Sequence, residues 1–205
     1  MKRTRIGLLG GSFNPVHIGH LIMAQDAAVA YELDRVFFIP AMIPPHKSSQ
    51  TLVTAEQRMD MIRLALGSRV AWEVSDEEIR RGGVSYTIDT VRHFALNHPD
   101  AELFFIIGGD TLPELHTWRE IHALLDLCTF ITMVRPGFEP EVLRTMRLNL
   151  PAAQVEKLVR HVTVGHVIGI SSTEVRMRVA KSEPIHYLVS EAVDHYIREH
   201  GLYRK

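Results

Sequence analysis

The sequence predicts an α/β protein with a Rossmann-like, doubly wound and mostly parallel sheet of five to six strands and helices on both faces. First, short apolar runs alternate with helical patterns along the whole chain. Second, a strand, a helix and another strand fit into about 35 residues near the N-terminus, and such a unit requires parallel pairing with a right-handed crossover. Third, three predicted strands end in glycine or hydroxyl-rich turns, which is typical of the ligand-binding edge of such a sheet.

The predicted elements follow one another in a regular order. Strands are expected at residues 5–9, 35–40, 70–74, 102–107 and 128–134, with an irregular strand region at 162–170. Helices are expected at residues 21–33, 54–66 and 86–97, twice within 112–127, and at 139–159, 174–180 and 187–200. Residues 77–86 are expected to form a charged connection. The chain contains no repeat, low-complexity tract or clear linker, so one domain is expected.

Composition and charge limit the classes of partner. The formal net charge of −1 disfavours a general nucleic-acid surface, so phosphate binding must come from a local site. Cys128 is the only cysteine, which excludes an internal disulfide and favours a reducing compartment, and its apolar neighbours predict a core position. No stretch approaches about 20 apolar residues, so we expect no membrane span and a cytoplasmic protein.

The turn after the first strand combines glycines with two histidines. Gly10, Gly11 and Ser12 precede a predicted helix start, where unpaired N–H groups favour an anion. His17 and His20 lie three residues apart and can point at whatever the turn holds. Zinc is disfavoured because no further ligand lies at a suitable spacing. The pair is therefore either structural or a set of donors to phosphoryl oxygens.

Other candidate residues each allow a structural and a functional interpretation. Lys47 is either a solvated surface charge or a phosphate clamp on a proline-stiffened loop. Residues 171–173 (SST) form a helix N-cap, and Arg176 one turn later could add an anion site. Trp118 is either a core residue or a stacking platform for a planar ligand. Asp110 is either a helix cap or a ribose ligand.

Several common nucleotide and hydrolase motifs are missing from the sequence. It contains no G-x-x-x-x-G-K-[ST], which excludes a P-loop enzyme. The first turn does not fit G-x-G-x-x-G, which disfavours a dehydrogenase, and there is no G-x-S-x-G elbow.

Two segments at opposite ends of the chain resemble the signatures of the H-x-G-H nucleotidyltransferases. Residues 10–20 (GGSFNPVHIGH) are similar to G-G-[ST]-F-D-P-x-H-x-G-H, and residues 170–176 (ISSTEVR) are similar to I-S-S-T-x-[IV]-R. The middle of the chain resembles the bacterial nicotinate-nucleotide adenylyltransferase family, at residues 44–47 (PPHK), 85–90 (SYTIDT), 108–110 (GGD) with Trp118, and 135–137 (RPG). The similarity extends over nearly the whole chain, to residues 201–203 (GLY), and is weakest at 139–157.

The resemblance implies adenylyl transfer from ATP to nicotinate mononucleotide, giving nicotinate adenine dinucleotide and pyrophosphate in NAD biosynthesis. The mononucleotide phosphate would attack the α-phosphorus directly, in line and without a covalent intermediate. Catalysis would then rest on positioning and charge stabilisation. The implied catalytic residues are His17, His20, Lys47 and Arg176.

The resemblance also implies the binding residues. Those expected at ATP are Gly11, Ser12, Phe13, His20, Gly108, Asp110, Ser171, Ser172, Thr173 and Arg176. Those expected at the nicotinate nucleotide are Lys47, Thr87 and Trp118, with Trp118 stacking on the pyridine and Thr87 holding its carboxylate. No metal ligand is expected from the protein, because Mg²⁺ would be carried by the ATP phosphates.

Two residues depart from the family pattern. Asn14 stands where the family often has Asp, and Arg119 stands where an aromatic residue is common in some members.

We expect a single nucleotidyltransferase domain over residues 1–205, whose C-terminal helical part, from about residue 171, completes the ATP site. The sequence is compatible with a homo-oligomer. The alternatives are an adenylyltransferase for phosphopantetheine or for the amide nucleotide, and a nucleotide-binding regulator without turnover.

Overall fold

One all-parallel sheet of six strands forms the centre of the molecule. The computed structural model describes residues 3–45, 52–69, 71–134 and 148–204. The strands are β1 (Arg5–Gly11), β2 (Arg35–Pro40), β3 (Trp72–Val74), β4 (Glu102–Gly108), β5 (Thr129–Val134) and β6 (Val162–Val164). Their order is β3-β2-β1-β4-β5-β6. The order reverses between β1 and β4, so the switch point where ligands bind in such folds lies at the carboxyl ends of these two strands. The predicted fold class is confirmed.

The helices connect the strands. They are α1 (Ile18–Ala30), α2 (Ala55–Leu66), α3 (Glu77–Arg81), α4 (Thr87–Asn97), α5 (Ile121–Leu127), α6 (Ala152–Val159), α7 (Ser172–Ala180) and α8 (Glu191–Glu199), with a 3₁₀ helix at Gly109–Thr117. None of the helices in the described ranges is long and apolar enough to cross a membrane.

Successive strand residues point to opposite faces of the sheet and feed two separate apolar clusters. Leu8 and Phe105 belong to the cluster on one face, and Leu9 and Ile106 belong to the cluster on the other. Cys128 is buried in the first cluster, as its apolar neighbours predict. Helices cover both faces, and residues 36–40 of β2 and 103–107 of β4 are accordingly unbroken buried apolar runs, the pattern of a buried parallel sheet.

Three of the described helices begin directly after a residue whose side chain caps the helix N-terminus. Thr54 and Gln57 form the predicted capping box at α2, with bonds of 3.2 and 3.1 Å. Ser171 caps α7, since its Oγ accepts the N–H of Glu174 at 3.1 Å. Ser190 caps α8 in the same way through the N–H of Val193 at 3.4 Å.

Three predicted boundaries are wrong, and one is only partly tested. Residues 77–81 form the short helix α3 and not a plain connection. Helix α1 begins at Ile18 and not at residue 21, because His17 is its N-cap. The last helix begins only at Glu191, because Tyr187 has a left-handed backbone with φ 65°. The sequence predicts the helix at 139–159 with an interruption at Pro151; the part after the proline is observed as α6, and residues 139–147 lie outside the described residues.

Candidate active site

A large crevice of about 1030 Å³ lies at the carboxyl ends of β1, β4 and β5. This is the switch point of the sheet, where the glycine turns after β1 and β4 face each other. The sequence-predicted residues that line it are Gly11, Ser12, His17, His20, Thr87, Gly108, Asp110, Trp118, Ser171, Ser172, Thr173 and Arg176. Both signature segments therefore meet at one site with the described residues of the middle segments, at 44–45, 85–87 and 108–110 and at Trp118.

The two histidines form a stacked pair at the start of α1. Their ring centroids are 3.7 Å apart and the ring planes differ by 28°. The backbone N–H of His17 donates to Nδ1 of His20 at 3.2 Å, and the N–H of His20 donates to the carbonyl of His17 at 2.9 Å. These bonds satisfy groups at the helix start and fix the His20 ring.

His17 is buried and electrically neutral at neutral pH. It is only 7% exposed, and burial lowers its pKa from 6.5 to about 4, since desolvation disfavours the charged ring. Its Nδ1 has no hydrogen-bond partner among the described residues, although a buried ring nitrogen normally has one.

The Phe13 ring packs against His20 in the interior of the protein and does not line the crevice. Its side chain is 1% exposed, and its ring meets His20 edge-on at 5.0 Å between centroids. A Cβ at Gly11 would lie 3.2 Å from the Phe13 ring, so glycine allows the turn to lie on that ring. Likewise, a Cβ at Gly19 would lie 3.0 Å from Nδ1 of His17. Phe13 is thus observed as a packing partner of His20, and its assignment to ATP stays a prediction.

Side chains from distant elements hold the carbonyl groups of the turn. Arg58 on α2 donates to the Ser12 carbonyl at 3.0 Å. Arg176 on α7 donates to the Asn14 carbonyl at 2.7 Å, and Ser172 donates to the Pro15 carbonyl at 2.8 Å. The two signature segments are thus bonded directly to each other.

These bonds change the interpretation of the hydroxyl groups at the start of α7. The Ser171 hydroxyl caps the helix, and the Ser172 hydroxyl is bonded to Pro15. The Thr173 hydroxyl accepts from Arg176 at 3.2 Å. The backbone N–H groups of Ser172 and Thr173 therefore remain as the anion-binding groups at this helix start, together with the Arg176 guanidinium.

Arg58 is a buried residue of this site that the sequence interpretation missed. It is 1% exposed, and burial lowers the pKa of its guanidinium. It also donates to the Ala41 carbonyl at 2.6 Å, so one guanidinium joins the ends of β1 and β2. Its position was detectable, since it falls with Met61 and Ile62 on the apolar face of α2, where an arginine is unexpected.

The other end of the crevice is aromatic. Trp118 meets Phe105 edge-on at 5.9 Å and Phe130 at 6.1 Å, so it packs on the core and lines the crevice at the same time. Thr87 is the first residue of α4, after the cap residue Tyr86. The guanidinium of Arg119 lies 4.7 Å from the centre of the Tyr86 ring, a cation–π contact.

The turn after β4 places Asp110 at the crevice. A Cβ at Gly108 would collide with Oδ1 of Asp110, so glycine permits this placement.

Asp26 on α1 is a further lining residue that sequence interpretation missed, and it accepts the N–H of His166 at 2.9 Å. This bond holds the segment after β6 against α1.

The sequence predicts Lys47 as a cation at the phosphates and predicts no metal ligand from the protein. Lys47, like residues 135–137, lies outside the described residues. Within residues 3–45, 52–69, 71–134 and 148–204, no group of three or more His, Cys, Asp or Glu side chains could hold a metal ion. The donors in the described part of the crevice are mainly N–H, hydroxyl and guanidinium groups, which suit phosphate.

Comparison with known proteins agrees with this geometry. Residues 8–178 match the model of the cytidylyltransferase-like family. The chain is 45% identical over 200 residues to a protein of Opitutus terrae and 42% identical over 201 residues to one of Moorella thermoacetica, each named a probable nicotinate-nucleotide adenylyltransferase. The alignments cover 98% of this chain and 98% and 92% of those proteins.

A solved structure shares the fold. The nicotinic acid mononucleotide adenylyltransferase of Plasmodium falciparum, complexed with NaAD, superposes with a TM-score of 0.74 at 20% identity and covers 98% of this chain and 97% of its own. The full-length sequence matches decide the family, and the chain belongs to the nicotinate-nucleotide adenylyltransferases of the cytidylyltransferase-like family.

Proposed function

We propose that the chain transfers the adenylyl group of ATP to nicotinate mononucleotide, releasing nicotinate adenine dinucleotide and pyrophosphate in NAD biosynthesis. The observation that carries the proposal is the single crevice in which the histidine pair and the start of α7 meet Trp118 and the start of α4. One end offers donors for a triphosphate, and the other offers an aromatic surface for a planar ring. The names of the relatives support the same pair of substrates.

The chemistry needs no protein nucleophile or general base. A phosphate monoester is already ionised near neutral pH, so its oxygen can attack the α-phosphorus of ATP directly while pyrophosphate leaves. The protein then has to align the two phosphates and stabilise the charge that develops at phosphorus. In this proposal His17 and His20 donate to the reacting phosphoryl oxygens.

The leaving pyrophosphate is assigned to the start of α7. The first-turn N–H groups and the Arg176 guanidinium would hold the β and γ phosphates, and the turn after β1 at Gly11 and Ser12 would face the α-phosphate. Lys47 would neutralise further phosphate charge. Mg²⁺ would be bound by the ATP phosphates and water, since the described crevice offers N–H and hydroxyl donors in place of an acidic cluster.

The nucleoside ends are assigned by the same logic. Gly108 and Asp110 would meet the adenosine, with the Asp110 carboxylate accepting from ribose hydroxyls. Trp118 would stack on the pyridine ring, and backbone N–H groups at the N-terminus of α4, at Thr87, would donate to the carboxylate. In this arrangement the C-terminal part, from about residue 171, completes the ATP site of one domain. The single buried cysteine is consistent with a reaction in the cytoplasm.

The test is a comparison of acceptors. Purified protein with ATP and Mg²⁺ is given nicotinate mononucleotide, nicotinamide mononucleotide or phosphopantetheine, and pyrophosphate and adenylylated product are quantified. We expect pyrophosphate and nicotinate adenine dinucleotide in equal amounts, with the highest kcat/KM for the nicotinate nucleotide. Higher kcat/KM with another acceptor would replace the proposed substrate, and turnover with none would indicate a nucleotide-binding protein without transferase activity.

A further inference from the structure

The C-terminus of the chain reaches the first turn. The Tyr203 hydroxyl donates to Oδ1 of Asn14 at 2.9 Å, across 189 residues of sequence. Asn14 is 2% exposed, and its Oδ1 also accepts the N–H of Val53 at 3.3 Å. The Asn14 backbone carbonyl accepts from Arg176 at 2.7 Å. One buried amide residue therefore connects the C-terminus, the segment before α2 and a guanidinium of the crevice.

We propose that Tyr203 is a positioning residue for nucleotidyl transfer: its hydroxyl fixes Asn14, and the Asn14 carbonyl in turn fixes the Arg176 guanidinium at the crevice. This inference rests on the proposed function, because Arg176 is assigned there to the triphosphate. Tyr203 itself does not line the crevice, so its hydroxyl is not placed to contact a bound substrate directly. Its effect on the reaction is transmitted through two hydrogen bonds in series.

The structure gives reasons why the hydroxyl, and not only the ring, matters. Tyr203 has a left-handed backbone with φ 61°, a conformation that is uncommon for a residue with a side chain, after Gly201 at φ 59°. This turn brings the ring over the apolar cluster on one face of the sheet and the hydroxyl to Asn14. Burial raises the pKa of Tyr203 well above its ordinary value, so the hydroxyl stays a donor at all working pH values.

The same network explains why asparagine can stand at position 14. An amide oxygen accepts from Tyr203 and from Val53 as a carboxylate oxygen would, so the hydrogen bonds do not require a negative charge. Asparagine therefore preserves these hydrogen bonds without placing a negative charge in the buried turn.

The position of the network predicts which substrate is affected. Arg176 and Ser172 belong to α7, on the side assigned to ATP, whereas Trp118 and Thr87 belong to the opposite side. Loss of the hydroxyl in Tyr203→Phe should therefore impair ATP use and leave binding of the nicotinate nucleotide intact. We expect kcat/KM for ATP to fall about tenfold, the value of one hydrogen bond of typical net strength, with KM for the nicotinate nucleotide within twofold.

The matched control is Tyr196→Phe. Tyr196 lies on α8 outside the crevice, and its hydroxyl donates to Asp60 at 3.4 Å, so this variant also loses one phenolic hydrogen bond. Urea unfolding of both variants separates a stability effect from a kinetic one. Wild-type turnover in the same assay is the reference: without it the proposed function fails, whatever Tyr203 does.

A double-mutant cycle tests the path through Asn14. If the hydroxyl acts through Asn14, Tyr203→Phe lowers kcat/KM for ATP far less in an Asn14→Ala background than in wild type. Additive effects, a Tyr203→Phe enzyme equal to the Tyr196→Phe control, or equal losses for both substrates would each overturn the proposal. Asn14→Asp, which keeps the acceptor oxygen, is expected to retain the dependence on the Tyr203 hydroxyl.

Discussion

His17 donates its backbone N–H to Nδ1 of His20 at 3.2 Å while the two imidazole rings stack at 3.7 Å. A ring nitrogen that accepts a hydrogen bond carries no proton, so this contact selects the His20 tautomer with hydrogen on Nε2. The backbone of one histidine thereby sets the donor of the other. In this tautomer, the Nε2–H group is the part of the His20 ring that can donate to a phosphoryl oxygen.

Replacing that donor should lower turnover strongly. We expect His20→Ala to reduce kcat at least about 100-fold, on the order of 3 kcal/mol, as for loss of a preorganised donor that stabilises developing charge. Steady-state kinetics with saturating ATP and nicotinate mononucleotide measure this loss. The control is His122→Ala on α5, whose ring is exposed and bonded to Gln154. A His20→Ala enzyme within threefold of wild-type turnover would contradict the role.

The buried, neutral His17 should make stability depend on pH. The unfolded ring has a pKa near 6.5 and the folded ring one of about 4, so between these values only the unfolded chain takes up a proton, and acid favours unfolding. Well above pH 6.5 the ring is neutral in both the folded and the unfolded chain, so its ionisation does not change the free energy of unfolding. This one group should therefore lower the free energy of unfolding by about 2 kcal/mol between pH 7 and pH 5.

His17→Asn removes the titration and keeps a good N-cap residue. Urea unfolding at pH 7 and pH 5 should give the variant a smaller loss of stability than wild type, by about 2 kcal/mol. His195→Asn, which removes an exposed imidazole on α8, is the control and should follow wild type. The same loss in wild type and His17→Asn would mean that His17 titrates normally in the folded chain.

Local signals in the sequence predicted the alternation of strands and helices but not the contacts between distant segments. The apolar runs and the Ser171 cap depend on neighbouring residues, so they could be predicted. The bond from Arg58 to Ser12 spans 46 residues and that from Tyr203 to Asn14 spans 189, and neither has a sequence period. Helix α3 was missed because five residues are too few for a helical pattern.

Arg119 should favour the acid over the amide form of the pyridine nucleotide. Its guanidinium lines the crevice beside the assigned pyridine surface, lies over Tyr86, and is 3.8 Å from Glu120. A nearby cation favours a carboxylate and gains nothing from a carboxamide. The side chain is 52% exposed, which screens the interaction to about 1 kcal/mol, or roughly fivefold.

Arg119→Met keeps most of the apolar stem and removes the charge. The ratio of kcat/KM for nicotinate and nicotinamide mononucleotide should fall about fivefold and become less dependent on salt. Arg92→Met is a suitable control, because Arg92 also pairs with Glu120, at 2.6 Å, but does not line the crevice. An unchanged ratio in Arg119→Met would assign the discrimination to the N-terminus of α4 alone.

Trp118 is expected to distinguish the two substrates as well as to support the core. Trp118→Ala should raise KM for nicotinate mononucleotide far more than KM for ATP, since stacking on a ring is worth about 1–3 kcal/mol and ATP is assigned elsewhere. The same change removes the edge contacts to Phe105 and Phe130 and should lower the free energy of unfolding. Trp118→Phe keeps an aromatic surface and should recover most of the nucleotide affinity. Equal increases in both KM values would show that the tryptophan acts only through packing, because a loosened core would affect both ends of the crevice.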